Sequence, residues 1–506
     1  MTRPARVTLS LCLLLGGGAC FDDIVGPGDA EAGILTGNVD VREVTVASSD
    51  AGGRYRTITF DVAWGHSWRR SEGPANWDAA WIFVKFRVGS GEWRHATLSS
   101  GAASHRVPQG VALDVPADGR GVFLFRNDPG SGEFRASDVS LRWESGADGV
   151  AADASVDVRV FGLPMVYIPE GPLFAGDNGA SGASLTRGSG DNRPWPVTGE
   201  GAIEVTDVVA NGFYYRSSRD VWSDVWNAGE DLTGASFTIP AAFPKGFRAI
   251  YSMRYELTQQ QYADFLNTLT PAQAANRYDP LNYGKFGYTI QERGGVFSTA
   301  HPERACGFLS PADGFAYADW AGLRPMSELE FEKIARGSGN SPVAGEYAWG
   351  TTYLRNAVSV AGDETDRTRL TSLGANSFFL EAGYQPQFPL NAGIFFEVGK
   401  TRERSGATYY GVLEMSGNLN ETCVSVGSPY GRTFTYRNGD GRLSADGFAD
   451  EGGWPQRDGK GAGYRGGTLA REGELLRLSD RSEAAVEIDA AHRHIPWGFR
   501  GVRTAQ

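Results

Sequence analysis

The sequence predicts an N-terminal all-β sandwich followed by an α+β domain rich in irregular loops. Three observations carry that prediction. Residues 37–161 alternate apolar and polar side chains with period two, between turns of Gly, Asp, Asn and Ser. From Met165 onward, short helical patterns sit among long glycine-bearing stretches. Glycine is in surplus, with 68 of 506 residues against a usual ~7%, and it follows no collagen-like period. At 506 residues, with 41% hydrophobic and 21% charged side chains, the chain has the composition of two or three globular domains. The net charge of −12 argues against nucleic acid as a partner, because phosphate binding needs a basic face.

In chain order, residues 1–20 read as an export signal. Arg3 and Arg6 precede an apolar run from Val7 to Leu15 that is too short to span a bilayer. Gly17-Gly18-Ala19-Cys20 resembles the box at which lipoprotein signals are cut, so Cys20 is expected as a lipidated first residue. Gly17 departs from the usual leucine, and an ordinary secretory signal cut near Ala19 is the alternative. Residues 21–35 read as a flexible tether. The expectation is an exported chain, held by lipid in the periplasm or at the cell surface, or secreted.

The sandwich is assigned to 36–162, with strands expected at 57–64, 81–88, 121–126 and 154–160. Trp64, Trp68, Trp77, Trp81 and Trp93 crowd into it, favouring core packing over a sugar-stacking face. Within 163–506, Thr258 and Gln261 form a capping box ahead of Tyr262, Phe265, Leu266 and Leu269. A second helix is expected over 313–321. A third opens on the Ser327/Glu330 capping box and stops at Gly337.

Seven blocks then appear in order: MVYIPEGPLFAGD (165–177), YSMRYELTQQQYADFLN (251–267), WAGLRPMSELEFEKIARG (320–337), YAWG (347–350), YYGVLEMSGNLNE (409–421), YRGGTL (464–469) and GFRGVR (498–503). Together they resemble the formylglycine-generating-enzyme, or sulfatase-modifying-factor, family. The resemblance implies a C-type-lectin-like fold over 163–506, with an insertion at about 191–244. Active members oxidise a sulfatase cysteine with copper held by two thiolates, which soft copper(I) selects. The matching positions here are Arg471 and Leu476, and no cysteine follows Cys423. Copper is therefore not expected, nor is formylglycine-generating activity. Cys306 and Cys423 are expected as a disulfide or as two inert thiols, a relocated metal pair being the alternative. An iron-dependent branch uses three histidines, whereas His492 and His494 form the only close pair here.

The resemblance also implies calcium at Asn418, Leu419 (through its carbonyl) and Glu421, hard oxygen donors suited to that ion. Asn420 stands where the family has tryptophan. Arg471, Arg477 and Arg481 are candidates for a groove that takes acidic groups, or for pairing with nearby Glu and Asp. Asp363, Glu364 and Asp366 read as a solvated loop. The functional expectation is a cell-envelope protein that binds a glycan or a protein, or builds envelope structure. The alternatives are a family oxidoreductase with a non-standard metal site and a structural component of a secretion or surface assembly.

Overall fold

The computed structural model describes residues 38–505 except 49–52, 208–211, 222–228, 359, 362–368, 371, 373, 384–387, 398, 456–457 and 486–491. Cys20, the signal, the tether and the acidic residues Asp363, Glu364 and Asp366 lie outside the described residues. The fold is β-rich with few helices, and among the described residues no helix is long and apolar enough to cross a membrane.

The first eight strands are β1 (Asp40–Ser48), β2 (Arg56–Arg69), β3 (Asp78–Val88), β4 (Arg94–His95), β5 (Val111–Asp114), β6 (Val122–Arg126), β7 (Gly130–Trp143) and β8 (Val156–Ile168). β1, β2 and β7 form one antiparallel sheet. The alternation in β2 turns Ile58, Phe60, Val62 and Trp64 onto Ala80, Ile82, Val84 and Phe86 of β3. Trp64, Trp68 and Trp81 are buried, while Trp77 stacks on Tyr167 and Trp93 lies under two guanidinium groups. Tryptophan here serves packing.

Residues 173–239 add β9 (Leu173–Ala175), β10 (Thr186–Arg187), β11 (Trp195–Val197), β12 (Ile203–Val205), β13 (Phe213–Tyr214) and β14 (Phe237–Ile239). β9 pairs with β11, and the others make a four-stranded sheet in the order β10-β13-β12-β14. β15 (Ile250–Met253) leads into α1 (Gln259–Leu266) and α2 (Pro271–Arg277). The hairpin β16 (Gln291–Arg293) and β17 (Val296–Ser298) precedes α3 (Pro311–Trp320), β18 (Met326–Ser327) and α4 (Glu328–Arg336). The pair β19 (Val360–Ala361) and β20 (Arg369–Leu370) is followed by β21 (Asn420–Val424), β22 (Ala462–Arg465), β23 (Trp497–Gly498) and β24 (Val502–Thr504).

The expected boundary at 162/163 falls inside β8. Its first part pairs with β3 along Val156–Val166, and its last four residues pair with β15 over Met165–Ile168. One sheet therefore runs β24-β15-β8-β3-β6-β5 through both halves. The alternation that predicts a strand does not stop where the family-like blocks begin, so nothing in β8 behaves as a linker.

Candidate functional site

The expected thiolate positions are reached through an Arg-Gly-Gly turn at the end of β22. Arg465 is fully buried, with Nη1 3.1 Å from Glu328 Oε2 and Nη2 2.9 Å from Glu332 Oε1. Gly466 follows at φ +87°, and a Cβ there would lie 2.7 Å from Glu421 Oε2. Only glycine accepts both that conformation and that approach. Beyond it, Arg471 pairs with Glu483. Leu476 is wholly buried among Tyr347, Trp349, Met415, Cys423 and Leu478. A guanidinium in an ion pair and an isobutyl group in a core occupy the two positions.

Of the three groove candidates, Arg471 and Arg477 are half-buried, and Arg477 donates to Ala180 O at 3.1 Å and lies 3.8 Å from Glu474. Arg481 is not at a surface. It is fully buried, with Nε 2.6 Å and Nη2 3.0 Å from the two oxygens of Glu328, and Nη1 on the carbonyls of Ala183 and Arg216. The planar fork that suits a ligand carboxylate is here saturated by an internal one.

Cys306 and Cys423 are free, fully buried and placed in separate apolar clusters. Burial pushes both thiols well above their ordinary range, which leaves them unreactive. The rings of His492 and His494 are nearly parallel at 6.4 Å, and both flank Trp497, which stacks on Tyr464. Among the described residues no third ligand-type side chain completes a metal set with them.

The loop expected to hold calcium is unusual in its backbone. Glu414, Gly417 and Asn418 have φ of +56°, +95° and +64°. Left-handed glutamate is uncommon and persists only where its surroundings enforce it. Asn418 Oδ1 accepts from Leu390 N at 2.8 Å, and its Nδ2 donates to Glu256 Oε2. Leu419 N donates to Glu256 Oε1 at 2.8 Å. The Asn418 amide oxygen is thus committed to backbone, and its amide nitrogen orients a carboxylate absent from the sequence reading.

Glu256, Glu414 and Glu421 gather behind this loop, all buried. Glu421 Oε1 receives Arg500 Nε and Nη2 at 3.2 and 3.0 Å, while its Oε2 has no partner. Glu414 Oε1 accepts from Gly393 N at 3.0 Å, and its Oε2 also has none. Burial pushes Glu414 and Glu421 up to about 7, and burial with repulsion from both raises Glu256 well above the carboxylate range. Both newly found acids lay within quoted blocks, RYELT and LEMSGN. Their signal was an acidic residue in otherwise apolar surroundings, and the long chain separation hid their convergence. A tighter trio, Asp319, Asp440 and Asp450, has carboxylate oxygens within 4.8 Å of one another. Asp319 there accepts the backbone N–H groups of Asp440 and Asp450 and ties that loop to α3.

Fold and site define a β-rich, loop-built domain of the kind in which an Arg-Gly-Gly turn presents two positions beside a buried acidic loop. Residues 225–505 match the family model of the Sulfatase-modifying factor enzyme 1-like domain, and the chain belongs to that family. The match covers more than half of the chain and begins inside the stretch expected as an insertion. No curated protein matches the chain.

Proposed function

We propose that this chain is an exported, lipid-anchored cell-envelope protein whose family domain has given up copper oxidation and serves in binding. In this reading residues 36–162 are a β-sandwich and the family domain has the C-type-lectin-like arrangement. The observation that carries it is the pair of thiolate positions. Leu476 is fully buried in a hydrophobic cluster and Arg471 is paired with Glu483, so neither offers a soft ligand. Cys306 and Cys423 do not replace them, being buried and held as thiols.

Calcium at the acidic loop is the second part of this proposal. Three buried carboxylates face one bonded guanidinium, and two of their oxygens are unpartnered. A buried uncompensated carboxylate is costly, and a hard divalent cation is the partner that such donors select. Glu414 and Glu421, which carry the unpartnered oxygens, would supply carboxylates to it with the Leu419 carbonyl, while Glu256 stays bonded to Asn418 Nδ2 and Leu419 N. The ion would neutralise charge and fix the loop, a structural role.

Purified protein is expected to carry no stoichiometric copper and to consume no oxygen with a thiol-containing peptide. Copper near one per chain, together with oxygen uptake on that peptide, would overturn the reading.

A further inference from the structure

Single exposed hydrophobic side chains are ordinary on a protein surface, and a group of them is not. Leu281, Tyr283, Phe286 and Val296 are 79%, 47%, 46% and 58% exposed, and all four fall within residues 281–296. Among the described residues, no other sixteen-residue stretch holds more than two exposed large hydrophobics. The four stand on the loop that follows the turn Pro280–Asn282 and on the hairpin of β16 and β17.

Loop and hairpin are tied into one unit. Tyr283 Oη donates to Gln291 Oε1 at 3.1 Å, and the rings of Tyr278 and Phe297 meet edge-on at 5.1 Å. Within the loop, Lys285 N donates to Asn282 O at 3.0 Å and Gly284 N to Tyr288 O at 2.9 Å. These bonds fix the backbone that carries Leu281, Tyr283 and Phe286, so their exposure is built into the loop. Between residues 279 and 298 the exposed charges are Lys285, Arg293 and Glu292. An anionic surface therefore does not repel this tip, although the whole chain carries −12.

The described chain begins beside this unit. Asn38 and Val39 share a cleft with Gln260, Gln261 and Asp264 of α1. Less than one helical turn beyond Asp264, about 5 Å along the axis, Asn267 clasps the hairpin. Its Oδ1 accepts from Phe297 N at 2.9 Å and its Nδ2 donates to Phe297 O at 2.7 Å. Residues 21–37 join that point to Cys20 and span at most about 60 Å. A lipid at Cys20 would thus hold the fold from the side of the apolar unit. We propose that Leu281, Tyr283, Phe286 and Val296 form a membrane-docking face that enters the bilayer interface beside the lipid anchor. Leucine, valine and phenylalanine gain by leaving water for the acyl boundary, tyrosine suits the headgroup level, and Lys285 and Arg293 can meet lipid phosphates. The contact would set which way the chain faces, which a tether alone leaves open. The inference rests on the lipid-anchor reading for the side on which the membrane lies, and on the exposed unit for the contact.

The test is co-sedimentation with vesicles of equal parts phosphatidylethanolamine and phosphatidylglycerol. The protein used is the chain from residue 21 on, which lacks the lipid and keeps every described residue. It should bind the vesicles and be monomeric without them. Leu281→Asp and Val296→Asp should each weaken binding by at least about fivefold with unchanged melting temperature, since both side chains stand in solvent. Leu232→Asp, at a leucine 63% exposed outside the unit, should leave binding unchanged. No binding by the parent chain, affinity untouched by both substitutions, equal loss from Leu232→Asp, or a dimer that both substitutions dissociate would each overturn the proposal. Acylation is read separately, as palmitate incorporation by cells with Cys20→Ser as the control. Its absence would remove the anchor reading and leave the vesicle result standing.

Discussion

At the scale of single residues, the proposal turns on Leu476, buried in an apolar cluster, and Arg471, paired with Glu483, at the two positions where the resemblance expects thiolates. What survives nearby is the acidic loop, and its protonation is measurable. Glu256, Glu414 and Glu421 have folded pKa values above the ordinary 4.5, the last two at about 7. The folded chain holds these protons more tightly than the unfolded one. That contribution is complete below about pH 4.5 and is lost as pH rises through about 7. In chelator, the melting temperature should therefore fall between pH 5 and pH 8. A bound divalent ion replaces the lost protons, so added calcium should do little at pH 5 and raise the melting temperature by several degrees at pH 8. A melting curve at pH 8 indifferent to both chelator and calcium would sink the calcium assignment. Glu414→Gln should flatten the pH dependence, because it removes one titrating carboxyl and one unpartnered oxygen.

Among the elements, the helices show how far the sequence could be read. The capping boxes of α1 and α4 stand as their residues foretold, with Thr258 and Gln261 exchanging bonds, and Ser327 and Glu330 doing the same. Gly337 closes α4 at φ +94°. α2 was missed although Thr270 and Gln273 form the same box, because its PAQAANR carries no apolar stripe. α4 was found but its setting was not. ELEFEKIAR reads as a helix with one wet face, yet all nine residues are buried. Glu330 and Arg336 find Arg324 and Glu346 within ten residues, but Glu328 is matched by Arg465 and Arg481 from far along the chain. Local spacing reports periodicity, and cannot report a partner supplied more than a hundred residues later. Removing one acid should be severe. Glu328→Gln leaves two guanidinium groups short of charge and should cost about 3–5 kcal/mol, read as a shift in urea midpoint. Glu474→Gln, at an exposed pair with Arg477, should stay within about 0.5 kcal/mol. Equal effects would show that the buried network is not what holds α4.

For the molecule as a whole, β8 carries one sheet through both of the expected domains. The shared sheet is reinforced by bonds that cross between the halves. Asn76 Nδ2 donates to Tyr410 O at 2.7 Å, Trp81 Nε1 to Ala321 O at 2.8 Å, and Lys85 Nζ to Trp320 O at 2.7 Å. Arg503 pairs with Asp118 across the same junction. Trp81 and Phe83 from β3 belong to the same apolar cluster as Phe265, Trp320 and Phe499. Separating the halves would expose that cluster to water and exchange those bonds for bonds to water, a net loss of about 0.5–1.5 kcal/mol each. Weakly joined domains unfold in separate steps, whereas a shared core and sheet couple them. Calorimetry of the intact chain should show a single dominant transition, with far-UV and tryptophan signals changing together. Trp81→Phe removes the indole donor while keeping an aromatic ring in the shared core. It should lower that single transition without splitting it. Two resolved transitions in the parent chain, with only one moved by Trp81→Phe, would show that the halves are independent despite the strand they share.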